Sequence, residues 1–227
     1  VEQNGVTLVD GASFELRSGT VTALVGPSGA GKSSLLQAII GLLRNYTGFI
    51  GFGEVSLRYF SDVHDAIAWV DQAPRLFDET VKHNILVSRP ETETQLRKAM
   101  EFASFTKAMT DALETPVHEG DRKWSGGEIQ RISIARAVYG SPRVLLMDEP
   151  SSALDAETED IVFSNTLKMA KQEGVAVLIV THRLRAAERA NRILVMEGGR
   201  LVEQGPHRDL IRQTRGVYHR LRNEASF

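Results

Sequence analysis

The chain has 227 residues, 42% hydrophobic and 25% charged, enough for one sizeable globular domain or a core with a smaller lobe. Its formal net charge of -2 and pI near 6.3 exclude the extended basic footprint of a nucleic-acid binder, so no nucleic-acid partner is expected. The absence of cysteine excludes disulfide scaffolds and thiolate metal sites and fits a reducing compartment, and no aliphatic run approaches the ~20 apolar residues of a membrane helix.

The chain opens on Val1 and enters strand-like sequence almost at once, so it is expected to be a piece of a longer protein whose remainder spans a bilayer. No signal peptide is visible. Val21 to Val25 is a short apolar run ending at a glycine loop, and from Ser33 to Leu43 apolar residues recur at helical spacing through Leu35, Leu36, Ile39, Ile40 and Leu43. The glycine-rich, aromatic stretch from Thr47 to Phe60 reads as short antiparallel strands, and Ile67 to Val70 as a strand stopped by Pro74. From about Thr92 to Leu113 the pattern is helical, with Leu96, Met100, Ala103, Phe105, Ala108 and Met109 on the apolar side, and predicts a helical lobe inserted into an α/β core. The core resumes with a helix after Ser125, a buried strand at Val144 to Met147, a helix from about Ala156 to Glu173 and a strand at Val175 to Val180. This alternation predicts a mostly parallel sheet. Ile193 to Met196 and Leu201 to Glu203 flank a glycine turn as a hairpin, and helical residues from Arg208 onward close the chain.

The run GPSGAGKS, Gly26 to Ser33, lies between a strand and a helix. In that context a glycine-rich loop turns its backbone N–H groups toward an anion, the helix dipole adds to the attraction, Lys32 reaches the β- and γ-phosphates, and Ser33 offers a hydroxyl to Mg²⁺. Asp148 and Glu149 follow four apolar residues, so a buried strand delivers two adjacent carboxylates to the sheet edge where open α/β folds bind ligands. Asp148 suits Mg²⁺ coordination and Glu149 suits polarising an attacking water. Ser125, Gly126, Gly127 and Glu128 satisfy the capping-box pattern, which marks a helix start and is also an anion site; the spacing leaves open whose anion it meets. Gln72 and His182 each follow a strand, where an amide oxygen can bridge Mg²⁺ or water and an imidazole can donate to a γ-phosphate. The remaining histidines, His64, His83, His118, His207 and His219, show no metal-site spacing and read as surface or structural residues.

Together these residues resemble, over nearly the whole length and in motif order, the nucleotide-binding domain of ATP-binding cassette (ABC) transporters. GPSGAGKS resembles the Walker A loop, Gln72 the Q-loop, WSGGE from Trp124 the signature, VLLMDE the Walker B strand, SALD from Ser152 to Asp155 the D-loop, and Thr181 with His182 the H-loop. LFDETVKHNI at Leu76 to Ile85, TPVHEGDRK with Glu119, and the closing VMEGGRLVEQGPHRDLI resemble segments of exporter domains. The resemblance implies a P-loop, RecA-like core with a mostly parallel sheet, an antiparallel β subdomain and an inserted helical subdomain. Residues 1–82 and 141–227 would form the ATP-binding core with the β subdomain, and 83–140 the helical subdomain.

It further implies ATP and Mg²⁺ as cofactors and a head-to-tail dimer, homomeric or heteromeric. ATP cradled by Gly26, Pro27, Ser28, Gly29, Ala30, Gly31, Lys32, Ser33 and Ser34 of one chain would be capped by Ser125, Gly126, Gly127 and Asp155 of the other. Ser33, Gln72 and Asp148 would hold the metal, while Glu149, His182, Gln72 and Lys32 would be catalytic. A transmembrane domain fused upstream would provide the only membrane contact, placing the chain on the cytoplasmic face, in a bacterial inner membrane. Trp124 departs from the usual signature leucine, Glu128 from the commoner glutamine, and His118 from a usual glycine. The adenine-stacking aromatic would fall where the chain begins; no aromatic precedes Phe14, and the residue is expected upstream. Two other readings differ in class: a regulatory ATP-binding module of a heterodimer, against which intact Glu149 and His182 argue, and a soluble repair or translation ATPase, against which the short interval from Gln72 to Ser125 argues.

Overall fold

Val21–Val25 is buried at every position, because its neighbours on both edges and both faces are other core elements. In the computed structural model, which describes residues 1–57, 66–117 and 124–224, two ribbons of two-residue strands flank this central strand in sequence. The first is β1 (Glu2–Gln3) with β2 (Val6–Thr7); then come β3 (Val21–Val25) and α1 (Lys32–Ile39); the second ribbon is β4 (Gly51–Phe52) with β5 (Val55–Ser56). After β6 (Ile67–Val70) the chain makes α2 (Val81–Leu86), α3 (Glu93–Phe102), α4 (Lys107–Asp111) and α5 (Gly126–Tyr139) before re-entering the sheet. It continues as β7 (Val144–Asp148), α6 (Ala156–Glu173), β8 (Ala176–Val180), α7 (Leu184–Arg189), β9 (Arg192–Glu197), β10 (Arg200–Gly205), α8 (His207–Leu210) and α9 (Val217–Glu224).

The six-stranded sheet runs β10-β9-β3-β8-β7-β6, parallel except where β10 returns antiparallel on β9. β3, β7 and β8 carry near-continuous apolar sequence because helices cover both sheet faces. Alternate side chains feed two cores: Ala23, Met147 and Ile179 join α5 and α6 through Ile132 and Phe163, whereas Leu24, Leu146 and Leu178 join α1 through Leu35 and Leu36. The parallel arrangement brings the carboxyl ends of β3, β6, β7 and β8 to one edge, the edge where such sheets bind ligands.

The helix of the phosphate loop stops at Ile39, four residues short of the periodic pattern, where Gly41 turns with φ 82°. The helical pattern expected from Thr92 to Leu113 is broken between Phe102 and Lys107: Ser104 takes φ 56°, and Thr106 starts a new helix by accepting a bond from the Met109 amide. Arg58 to Phe60 of the predicted ribbon, His64, and the TPVHEGDRK segment from His118 onward, Glu119 included, lie outside the described residues.

At the C-terminal end, the Glu203 carboxylate accepts bonds from the Val217 and Tyr218 amides, so β10 anchors the start of α9. The Tyr218 hydroxyl is 2.8 Å from His207 Nδ1, and burial, with the Glu188 charge a lesser cause, pushes the phenol up to about 12. An unfolded tyrosine ionises near pH 10, so this stabilisation is whole below about pH 10 and is lost as pH rises through about 12. Tyr218→Phe is expected to cost about 1 kcal/mol at neutral pH and to flatten the alkaline loss, as read by thermal melts from about pH 9 to about 12. A variant as alkali-sensitive as the wild type would refute this.

Candidate active site

The phosphate loop is built by glycines whose backbone no other residue could replace. Gly26 has φ 155°, and a Cβ there would sit 2.0 Å from the Met196 carbonyl; Gly31, with φ 95°, would meet the Leu8 carbonyl at 2.5 Å. α1 starts directly at Lys32, whose ammonium donates to the Gly26 carbonyl at 2.9 Å and the Pro27 carbonyl at 2.8 Å. Burial pushes this ammonium pKa down, and the Glu149 and Asp148 charges oppose the shift. A cleft of ≈ 780 Å³ is lined by Gly26, Ser28 through Ser34, Gln72, Glu149 and His182. Thus four sequence-distant segments meet around one loop, an arrangement that follows from the shared carboxyl edge of the strands.

Asp148, at the end of β7, is 4% exposed and accepts a hydrogen bond from the hydroxyl of Ser33, a residue that lines the cleft. Burial pushes its carboxyl above the usual carboxylate range, the Ser33 bond opposes this, and the Glu149 charge adds to it. Its Oδ1 is buried with no hydrogen-bond partner among the described residues. An orphaned carboxylate oxygen beside a hydroxyl fits Mg²⁺, a hard cation that takes one or two protein oxygens and completes its shell with water and substrate phosphate. Among the described residues no cluster of three or more His, Asp and Glu side chains could hold a metal ion.

Glu149 sits one residue beyond β7 with φ 44°, a left-handed conformation uncommon for a glutamate. Its amide donates to the Val180 carbonyl at 2.9 Å and its carbonyl accepts from the Ser152 amide at 3.0 Å, which hold the turn. The carboxylate is gripped on both oxygens. Oε2 accepts from the Gln72 amide at 3.0 Å, and Oε1 lies 3.2 Å from His182 Nδ1. Gln72 and His182 therefore meet at one carboxylate in the cleft.

Ser125, Gly126, Gly127 and Asp155 do not line this cleft. Ser125 caps α5, accepting from the Glu128 amide at 3.3 Å, while its own amide and hydroxyl donate to the Glu128 carboxylate at 2.9 and 2.7 Å. Asp155 caps α6 by accepting from the Thr158 amide and hydroxyl, and those bonds hold its carboxyl below the usual range. Gly127 has a packing role that its motif does not disclose: a Cβ there would come within 2.9 Å of the Ala153 carbonyl, so the first turn of α5 lies directly against the loop after β7. Trp124 is 9% exposed and belongs to the same core cluster as α5, where its indole Nε1 is buried without a hydrogen-bond partner among the described residues.

Sequence reasoning missed several participants. Val6, Thr7, Leu8, Gly198 and Gly199 also line the cleft, because the β9–β10 turn closes over the loop through a bond from the Gly199 amide to the Ala30 carbonyl at 3.2 Å. Ser151, Glu159 and Arg183 form a bridge behind Glu149 and His182. No local signal marks either set; only their neighbourhood to known motif segments does.

A model of the ABC transporter family matches residues 9–152. Over 97% of its length the chain is 37% identical to an ATP-dependent lipid A-core flippase from Burkholderia thailandensis, and over 98% it is 36% identical to the mitochondrial ATP-binding cassette sub-family B member 10 of Mus musculus. It spans 37% and 32% of the lengths of those two relatives. A solved structure of a bacterial Atm1-family ABC exporter with ATP bound superposes with a TM-score of 0.91 at 31% identity, over 99% of this chain and 40% of that one. No helix among the described residues is long and apolar enough to cross a membrane.

Proposed function

The chain belongs to the ABC transporter family as a nucleotide-binding domain, and from that premise we propose that it hydrolyses Mg-ATP at a site completed by a second nucleotide-binding domain, powering export through a membrane domain carried on the same polypeptide. The single observation that carries the reading is the Glu149 carboxylate held between Gln72 and His182 in the cleft lined by Lys32 and Ser33. ATP phosphates would lie along Gly26 to Ser34, with Lys32 leaving its carbonyl partners for the β- and γ-oxygens. Mg²⁺, held by Ser33 and Asp148 with Gln72 nearby, would neutralise charge on the same oxygens. Glu149 would accept a proton from the attacking water as its oxygen bonds to the γ-phosphorus. His182 would donate to the γ-phosphoryl group as the bridge to ADP breaks.

A partner chain is supported by the separation of the two phosphate motifs. Ser125 and the α5 amino terminus present an anion-favouring end away from the cleft of their own chain, as a head-to-tail dimer requires. The site would sit at the cytoplasmic face of a membrane, in a bacterial inner membrane.

The test is ATP turnover in the full-length protein against concentration, with Mg²⁺ or EDTA. A specific rate that rises with protein concentration, vanishes with EDTA and falls at least tenfold in Ser125→Arg is expected, since a bulky cation at the α5 start would block the facing site. A specific rate independent of concentration and untouched by Ser125→Arg would overturn the two-chain site. Turnover that appears only with a non-identical partner domain would make the pair a heterodimer.

A further inference from the structure

The residues that face the cleft are held from behind. Ser151, two residues after Glu149, donates its hydroxyl to Glu159 Oε1 at 2.9 Å. Arg183, next to His182, donates to and forms an ion pair with Glu159 Oε2, the two side chains being 34% and 17% exposed. Glu159 lies in the first turns of α6, where the bond from its amide to the Asp155 carbonyl at 2.9 Å fixes its place relative to the Asp155 cap.

These contacts close a ring. It runs from Glu149 through Pro150 to Ser151, across Glu159 to Arg183, back one residue to His182, and over 3.2 Å to Glu149. The two loops leave adjacent parallel strands whose ends are paired, Asp148 with Val180. Beyond that pair the Glu149 amide still bonds to the Val180 carbonyl at 2.9 Å, and farther out a cavity of ≈ 20 Å³, lined by Pro150 and Ser151 from one loop and by Thr181 and Ala186 from the other, lies next to α6. A side chain that reaches both loops there, with one carboxylate oxygen to each, adds a second tie to their separation, and partial burial strengthens both bonds.

We propose that Glu159 is a positioning residue for hydrolysis, setting the separation of Glu149 and His182 through Ser151 and Arg183. This rests on the reading of Glu149 and His182 as the hydrolytic pair. The phosphate loop is gripped by other contacts, namely Lys32 with the Gly26 and Pro27 carbonyls and the β9–β10 turn, so nucleotide binding does not depend on the bridge.

The experiment compares steady-state ATP turnover of full-length wild type, Glu159→Ala, Glu159→Gln, Ser151→Ala and Glu149→Gln. Glu159→Ala is expected to lower kcat by about 10- to 100-fold, the loss expected of an ångström-scale misplacement, with KM for ATP within about twofold. Glu159→Gln, which can still accept from Ser151, recovers part of that loss, and Ser151→Ala shows a smaller fall of the same kind. In a Glu149→Gln background, Glu159→Ala adds little, because the group it positions is already gone. A merely structural ion pair would lower the melting temperature and leave these splits unmoved.

Should Glu159→Ala fail to fold, Ser151→Ala and Glu159→Gln carry the test. Wild-type kcat in the folded variants, or a rise in KM alone, overturns the positioning role. If Glu149→Gln is inactive while the Glu159 variants match wild type, only the bridge fails; if Glu149→Gln turns over like wild type, the hydrolytic reading itself fails.

Discussion

Glu149→Gln lowers kcat for Mg-ATP by roughly 10²- to 10⁴-fold, the range for loss of a general base, while ATP still binds. The substitution retains size and lets the side chain keep a hydrogen bond to one neighbour, but an amide cannot take a proton from water. Two features make Glu149 the group on which this loss falls. Its backbone is held at φ 44° by bonds to Val180 and Ser152, so the turn aims the carboxylate out of the sheet into the cleft, whereas Asp148, one residue earlier, stays buried. Each of its oxygens also has a neighbour that restricts rotation, Gln72 on one and His182 on the other. Preorganisation of this kind is spent on the chemical step and not on ground-state binding, so the loss belongs in kcat. Equilibrium binding of ATP alongside single-turnover hydrolysis checks it. Loss of binding together with rate would mean that Glu149 shapes the cleft and does not act on water.

Asn84→Ala is expected to destabilise the fold by about 2 kcal/mol, because it removes the shared acceptor of two part-buried donors, the Phe77 amide and Arg136, at about 1 kcal/mol each. Asn84 is fully buried in α2, and its side chain is a hub. The amide oxygen accepts from the Phe77 amide at 2.8 Å and from Arg136 Nη2 at 2.7 Å, while the amide nitrogen donates to the Phe77, Glu79 and Thr80 carbonyls. Arg136, from α5, also donates to the Asn84 carbonyl at 2.8 Å and the Arg75 carbonyl at 3.0 Å, and its guanidinium lies 5.0 Å from the Phe77 ring centre. Burial pushes the Arg136 pKa down, yet an arginine starts high enough to remain charged. Removing the Asn84 side chain therefore takes one of three acceptors from a half-buried guanidinium, which keeps its bonds to the Asn84 and Arg75 carbonyls, and the only side-chain acceptor from the Phe77 amide. Denaturant unfolding at unchanged m-value measures the loss, and the double variant with Arg136→Ala should cost less than the sum of the singles. Additive costs would show that the two residues do not share one network.

The consequence reaches the site. Residues 75–84 begin shortly after Gln72, and Arg136 stands on the helix that Ser125 caps. A single network thus joins the segment after Gln72 to the helix that Ser125 caps.

How much of this was legible beforehand differs by residue. The helix from Ala156 to Glu173 was read at the bounds the structure has, because Asp155 supplies a cap and Gly174 a left-handed stop. The strand ending at Asp148 was legible from its apolar run, and the cradle from the spacing of Gly26, Gly31, Lys32 and Ser33. The interruption at Ser104 was not, since apolar residues keep helical spacing across it and the break is enforced by packing on α5 and α6. Glu159 was hidden for another reason. On its own it is one more acid in the first turns of a helix, and its partners lie on loops from β7 and β8.

The sequence by itself determined the strand-loop-helix cradle, the two carboxylates ending a buried strand and the capped helix starts, because each depends on contacts between residues a few positions apart. Tertiary structure alone decided that Gln72, Glu149 and His182 converge, that Gly127 must lie bare against Ala153, and that Glu159 and Asn84 each tie distant segments together. Strand order and side-chain bridges are set by non-local pairing and burial, which no stretch of neighbouring residues encodes.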